Sequence, residues 1–234
     1  MKVSGVISAD IVGSTGIGLT SKLEIIHSLD AWLRKIDKKY KCYSRITQGD
    51  LVEIVIPDIS QTMRIALLIK SKVKSLSQET SISTKTGADS ASRKYDYFKQ
   101  YGVRMAIDIN AMDIVDRKNG IMEGAAIYNT GRKLSRQSTT DKSRIVVKES
   151  ISFTASNPEW QEEFDVVFSL IDFILAKTTA RQNEILNFKL LDYTDQEISE
   201  TLEITQPGVN KQSNLAGWRV IQKAILHFEK TVVQ

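Results

Sequence analysis

The order of secondary-structure signals predicts an α+β chain. An antiparallel sheet of ferredoxin-like order carries packed helices, and an all-helical C-terminal part follows. Three observations predict it. Over residues 1–150, strand-like and helix-like runs alternate as β-α-β-β-α-β-α-β. Two of the strand-like runs are separated only by Gln48-Gly49-Asp50, the signature of a β-hairpin. Beyond Thr178 the apolar spacing is helical to the end. The expected division is a sheet domain over 1–150, a connecting helix over 151–178 and a helical domain over 179–234.

The elements follow in order. "KVSGVISA" (2–9) reads as a short buried strand that meets Asp10 at its tip. Residues 20–39 place Leu23, Ile26, Leu29, Leu33 and Ile36 on one helical face, with Thr20 as N-cap. "YKCYSRIT" (40–47) and "LVEIVIP" (51–57) are the hairpin strands. Asp58 or Ser60 caps a helix over about 60–76 with Ile65, Leu68, Ile69 and Val73 on its apolar face. The polar run 77–94 reads as a long surface loop. "YGVRMAIDIN" (101–110) alternates as a strand, 124–137 as a helix and "SRIVVKES" (143–150) as a strand. Asn157-Pro158 opens a helix over 157–176 with Trp160, Phe164, Phe168 and Ile171.

Bulk composition narrows the function classes. The 234 residues are 41% hydrophobic and 26% charged, an ordinary globular balance. A formal charge of +4 is compatible with an anionic partner and is too small to prove nucleic-acid binding. With one cysteine, Cys42, no intrachain disulfide can form. Two histidines and one cysteine argue against zinc, so a metal would be hard and held by carboxylates. The apolar run after Lys2 is too short for a signal peptide, and no run approaches the ~20 residues of a membrane span. A cytoplasmic protein with no membrane partner is the expectation.

Two aspartates carry the chemistry. Asp10 ends the first strand and Asp50 sits in the hairpin turn. In a ferredoxin-like sheet these two places share a rim, where paired carboxylates repel unless a cation sits between them. Mg²⁺ or Mn²⁺ in such a pair serves phosphoryl chemistry. Behind Asp10, the amides from Ile11 through Val12, Gly13, Ser14 and Thr15 can wrap a phosphate. Taken singly, each aspartate also has a structural reading, since Asp is common at strand ends and in turns. Segment 132–148, with Arg132, Lys133, Arg136, Lys142, Arg144 and Lys148, is either a solvated basic face or a positive rim toward polyphosphate.

The series "ADIVGST", "QGDLVEIVIP", "YGVRMAIDIN" and "GAAIYNTGRKLS" resembles the catalytic domain of class III nucleotidyl cyclases over about residues 1–150. The resemblance implies a metal set of Asp10, Ile11 and Asp50, phosphate contacts from Val12, Gly13, Ser14 and Thr15, and Arg132 on transition-state charge. The family's transition-state asparagine falls on Tyr128, with Asn129 one place late. Its base-reading lysine falls on Ile46, beside Arg45, and its base-reading aspartate on Ile121. The metal half therefore matches and the base-reading half does not. The chain also resembles the SatD-like proteins, in which a cyclase-type sheet is joined to a C-terminal helix-turn-helix.

The C-terminal part reads as that motif. Thr194 caps a helix from Asp195, with Glu197 at the capping-box position. Ile198 and Leu202 share a face, "EIT" (203–205) makes the turn, and Val209 of a second helix packs back on them. Gln206 and Pro207 open that second helix. The stretch resembles the helix-turn-helix of sigma factors, with Glu203 where a turn glycine is usual, a left-handed position that costs a non-glycine ~1 kcal/mol. Gln206, Asn210, Lys211 and Asn214 then face a DNA groove. The acidic residues Asp192, Asp195, Glu197, Glu200 and Glu203 precede the turn, and Lys211, Arg219, Lys223 and Lys230 follow it.

The expected function is a homodimeric, cytoplasmic DNA-binding regulator whose cyclase-like domain binds a nucleoside triphosphate with Mg²⁺ or Mn²⁺. Two alternatives stay open. One is a working cyclase that makes a 3′,5′-cyclic nucleotide, and the other is a degenerate cyclase fold kept as a dimerisation scaffold.

Overall fold

The computed structural model describes residues 2–14, 17–47, 49–78, 88–137 and 149–233. The first strand, β1 (Lys2–Ile11), alternates its side chains between two sheet faces, so that Ile7, Ala9 and Ile11 enter one core and Val6 another. It runs two residues further than the apolar pattern indicates. Asp10 thus lies inside the ladder, opposite Leu51 and Arg104, rather than beyond its tip.

Helix α1 (Leu19–Tyr40) begins at Gly18, which makes no side-chain cap, so Thr20 falls inside the first turn and is not the N-cap. Its buried residues are Ser21, Ile25, Leu29, Leu33 and Ile36, while Leu23 faces solvent. β2 (Tyr43–Thr47) and β3 (Leu51–Ile56) form the expected hairpin, with Gly49 at φ 84° in its turn. Asp58 caps a short 3-10 turn through Ser60, and α2 (Thr62–Ser75) follows.

α2 is buried nearly all round rather than on a single face, because the sheet lies on one side and α6 (Ala180–Leu190) on the other. Its Lys70 and Lys74 are consequently enclosed. Lys70 donates to the Val103 carbonyl at 2.8 Å and lies 3.5 Å from Asp172. Lys74 donates to the carbonyls of Gln100 and Leu175. Burial lowers both ammonium groups, Lys70 to about 8 and Lys74 to about 7.

The expected surface loop is corrected in its second half. α3 (Ala88–Tyr101) occupies it and buries Phe98, while 79–87 lie outside the described residues. β4 (Val103–Met112) pairs with β1, and a small ribbon of β5 (Ile114–Asp116) and β6 (Ile121–Glu123) follows. α4 (Ala125–Gln137) then lies across the sheet. Its start at Gly124 (φ +148°) needs glycine, since a Cβ there would come 2.7 Å from the Met112 Cα.

Of the strand expected at 143–150, residues 143–148 lie outside the described residues and Glu149 and Ser150 are not in a strand; β7 (Ile151–Ala155) follows. β7 pairs with β4 in parallel, which makes the sheet mixed rather than purely antiparallel. The strand order is β2-β3-β1-β4-β7. Asn157 caps α5 (Pro158–Ala176) by accepting from the amides of Glu159 and Trp160, as its sequence indicates. α5 packs Phe164 and Phe168 on Phe153 of β7.

Three further helices complete the described chain: α7 (Asp195–Leu202), α8 (Gln206–Leu215) and α9 (Trp218–Thr231). The large core runs unbroken from the sheet through Leu186 and Leu190 of α6 to Ile221, Ile225 and Phe228 of α9. α6 is tied to α2 where Asn187 donates to the Leu68 carbonyl and the Ser71 hydroxyl, both at 2.9 Å. No helix among the described residues is long and apolar enough to cross a membrane.

Candidate functional site

One face of the sheet is unusually polar. Strand alternation puts Ser4, Ser8 and Asp10 of β1, Glu53 of β3, and Arg104 and Asp108 of β4 on the side where α4 lies. At the rim, the Arg104 guanidinium donates to Asp10 Oδ2 at 2.6 Å, and Lys22 Nζ meets Asp50 Oδ2 at 3.3 Å. Asp50 is near enough for Asp10 to feel its charge. Burial raises the Asp10 carboxyl above the usual carboxylate range and Asp50 adds to this, while Arg104 and Lys22 oppose it. Strand register supplies Arg104 directly opposite Asp10, a pairing that no local motif announces.

The segment after Asp10 is held by the fold itself. The Val12 amide donates to the Gly102 carbonyl at 2.9 Å, and the Ser14 carbonyl accepts from Ile17. Gly13 has φ +66°, and a Cβ there would come 2.3 Å from the Lys94 carbonyl oxygen, so α3 sets the need for glycine at this point. Thr15 lies outside the described residues.

Deeper on the same face is a cluster of which sequence reasoning named only Asn129. Asp108 is 1% exposed and accepts from Asn129 Nδ2 and Thr154 Oγ1, both at 2.8 Å. Burial raises its carboxyl, opposed by those two hydrogen bonds. Ser8 donates to Thr130 at 2.8 Å, which fixes α4 over β1. The available signal was Asp108 at an alternate position of the strand, in step with Arg104 and Asn110. Asn129 is thus held inward, while Arg132 is exposed with its guanidinium 5.4 Å from the Tyr128 ring centroid. Lys133 and Arg136 are also exposed, and Lys142, Arg144 and Lys148 lie outside the described residues. Arg45 is bound to Glu53 at 2.7 Å, Ile46 packs on the large core, and Ile121 is exposed.

As donors for a metal, Asp10 and Asp50 are two hard carboxylates, each now engaged by a cation. No group of three or more His, Cys, Asp or Glu side chains that could hold a metal occurs among the described residues. Two carboxylates still suit Mg²⁺ or Mn²⁺ when phosphate oxygens and water complete the shell.

The second candidate region is α7–α8. Thr194 and Glu197 form the capping box in full, and Thr205 caps α8 at the Gly208 amide. Glu203 adopts the left-handed conformation at φ 52°, which turns the chain within three residues. Ile185, Ile198 and Val209 form a small core, with Phe188, Leu202 and Ile204 against it. Gln206, Asn210, Lys211 and Asn214 are all exposed, and Asn214 donates to Asn210 at 2.8 Å. Of the acidic residues before the turn, Asp192 is bound to Arg64 and Lys39, and Asp195 to Lys189.

No known protein family matches the chain, and no curated protein does. Among solved structures it is similar to a bacterial light-regulated adenylyl cyclase, with 14% sequence identity and a TM-score of 0.40. That likeness covers 65% of this chain and 43% of the cyclase, so the chain spans less than half the cyclase's length.

Proposed function

We propose that the protein is a homodimeric DNA-binding regulator whose sheet domain, ferredoxin-like and cyclase-like, binds a nucleoside triphosphate with a divalent metal. The observation that carries the DNA half is α7–α8. Two capped helices, a three-residue turn and a three-residue apolar core leave Gln206, Asn210, Lys211 and Asn214 exposed on the second helix. Amide and ammonium groups along the exposed side of such a helix suit base edges and phosphates in a major groove.

The nucleotide half rests on the rim. Asp10, Ile11 and Asp50 would hold Mg²⁺ or Mn²⁺, which supplies neutralisation of polyphosphate charge when bound. Asp10 would exchange Arg104, and Asp50 would exchange Lys22, for that cation, freeing both basic groups for phosphate oxygens. Val12, Gly13 and Ser14 follow at the same end of β1, and with Thr15 they would contact phosphate. α4 starts beside Met112, opposite the beginning of β1, and reaches Ser8 at Thr130. Arg132, exposed on the same helix, would turn from the Tyr128 ring to meet polyphosphate charge. Asn129, bonded to Asp108, positions α4 rather than meeting substrate directly.

Titration of a triphosphate with Mn²⁺ tests this half. Asp10→Ala and Asp50→Ala are each expected to weaken binding by about tenfold or more, a loss of ~1.4 kcal/mol; unchanged binding overturns it. A second reading, the degenerate scaffold, is favoured by the short Arg104–Asp10 ion pair. Under that reading no triphosphate binds, and both alanine variants behave as wild type.

A further inference from the structure

α5 presents an apolar stripe to solvent. Val166, Leu170 and Phe173 are 59%, 60% and 62% exposed, and they follow one another at i, i+4 and i+7. They lie on the side of the helix opposite its buried residues Phe164, Phe168, Ile171 and Leu175. Large side chains on one solvent-facing stripe mark an interaction surface more often than chance exposure does.

The stripe's ends say what fits it. Glu159 and Glu162 lie exposed toward its N-terminal end, and exposed Lys177 stands at its C-terminal end with Nζ 3.7 Å from the Phe173 ring centroid. The layout is symmetric about the point between Ser169 and Leu170. Val166 and Phe173 are equally far on either side of that point, and so are Glu162 and Lys177. A second α5 laid antiparallel would therefore set Val166 against Phe173, Leu170 beside itself at the axis, and Glu162 against Lys177, twice over. A two-fold interface requires such self-complementarity. The two glutamates at its N-terminal end disfavour an anionic membrane as the occupant.

We propose that α5 is the surface through which two copies of this chain associate, antiparallel about a two-fold axis beside Leu170. This stands independently of any nucleotide or DNA binding. It differs from the exposed apolar residues Ile114, Val115 and Ile121 of the β5–β6 ribbon and Tyr128 of α4, which lie on the opposite face of the sheet.

Sedimentation of the full chain across a concentration series tests it, with circular dichroism confirming that each variant folds. Wild type is expected at twice the monomer mass. Leu170→Glu and Phe173→Asp are expected to raise the dissociation constant by about tenfold or more. Lys177→Glu weakens association by placing like charges opposite, and Glu162→Lys added to it restores the dimer. A wild type that stays monomeric overturns the proposal. So does a dimer that Ile121→Glu breaks and Leu170→Glu leaves intact, or a charge swap without rescue.

Discussion

The sheet rim and the α7–α8 pair hold their polar groups in opposite ways. At the rim, Asp10 and Asp50 are partly enclosed and each is engaged by a basic side chain. On α8, the polar side chains stand in solvent, and the work of holding the helix falls to three apolar residues beneath it. A rim of this kind would bind a ligand only by exchanging one partner for another, so its affinity would be a difference between two paired states. A surface like α8 binds by adding contacts, and its cost is paid in side-chain ordering.

The largest effect is expected where the helix pair has least redundancy. Ile198→Ala opens its small core and should cost about 2–5 kcal/mol locally. Native-state hydrogen exchange should show lost protection in α7 and α8 while β1 and β4 keep theirs. Loss spread evenly over both regions would break the contrast.

At the rim, Arg104→Ala leaves a half-buried carboxylate without its short hydrogen bond. Denaturant unfolding at neutral pH should register about 1–3 kcal/mol, and an NMR titration should find the Asp10 carboxyl raised further. Stability equal to wild type would mean that the ion pair contributes nothing to the fold.

Glu203→Gly removes a non-glycine residue from the left-handed turn. A gain of about 1 kcal/mol or less is expected, read as a small rise in the melting midpoint. A loss would show that the Glu203 side chain does more than strain the turn.

The smallest effect is a pH dependence. The Asp10 carboxyl is raised in the folded state, so its contribution to stability is greatest below its unfolded value of 3.8 and falls as pH rises through the folded value. Asp10→Asn should therefore be more stable than wild type at neutral pH, with the difference closing in acid. A difference that grows in acid would reverse the sign of the burial argument.

Sequence pattern carried the helix pair almost completely. Capping box, turn residue and the Ile198, Leu202 and Val209 partners are local, while Ile185 and Phe188 come from α6; the left-handed Glu203 stands where the missing glycine indicated. The rim was legible only in half. Asp10 and Asp50 stand out as strand-end and turn residues, but Arg104 and Lys22 reach them through register and helix placement, which a single sequence does not encode locally. The same holds for Asp108 with Asn129 and Thr154, and for Lys70 and Lys74, whose burial comes from a second layer of helices over α2. α3 was hidden because its helix is polar, and β7 because its parallel partner lies some forty residues away.

Under the proposed function, α8 reads DNA. The most direct test is selection of bound duplexes from a random pool, followed by mobility shift at fixed salt with wild type, Asn210→Ala and Lys211→Ala. One preferred sequence is expected, with Asn210→Ala costing about 1–3 kcal/mol at one base position and Lys211→Ala weakening all sequences alike. Recovery of no sequence by wild type, or identical binding by all three proteins, would contradict the account.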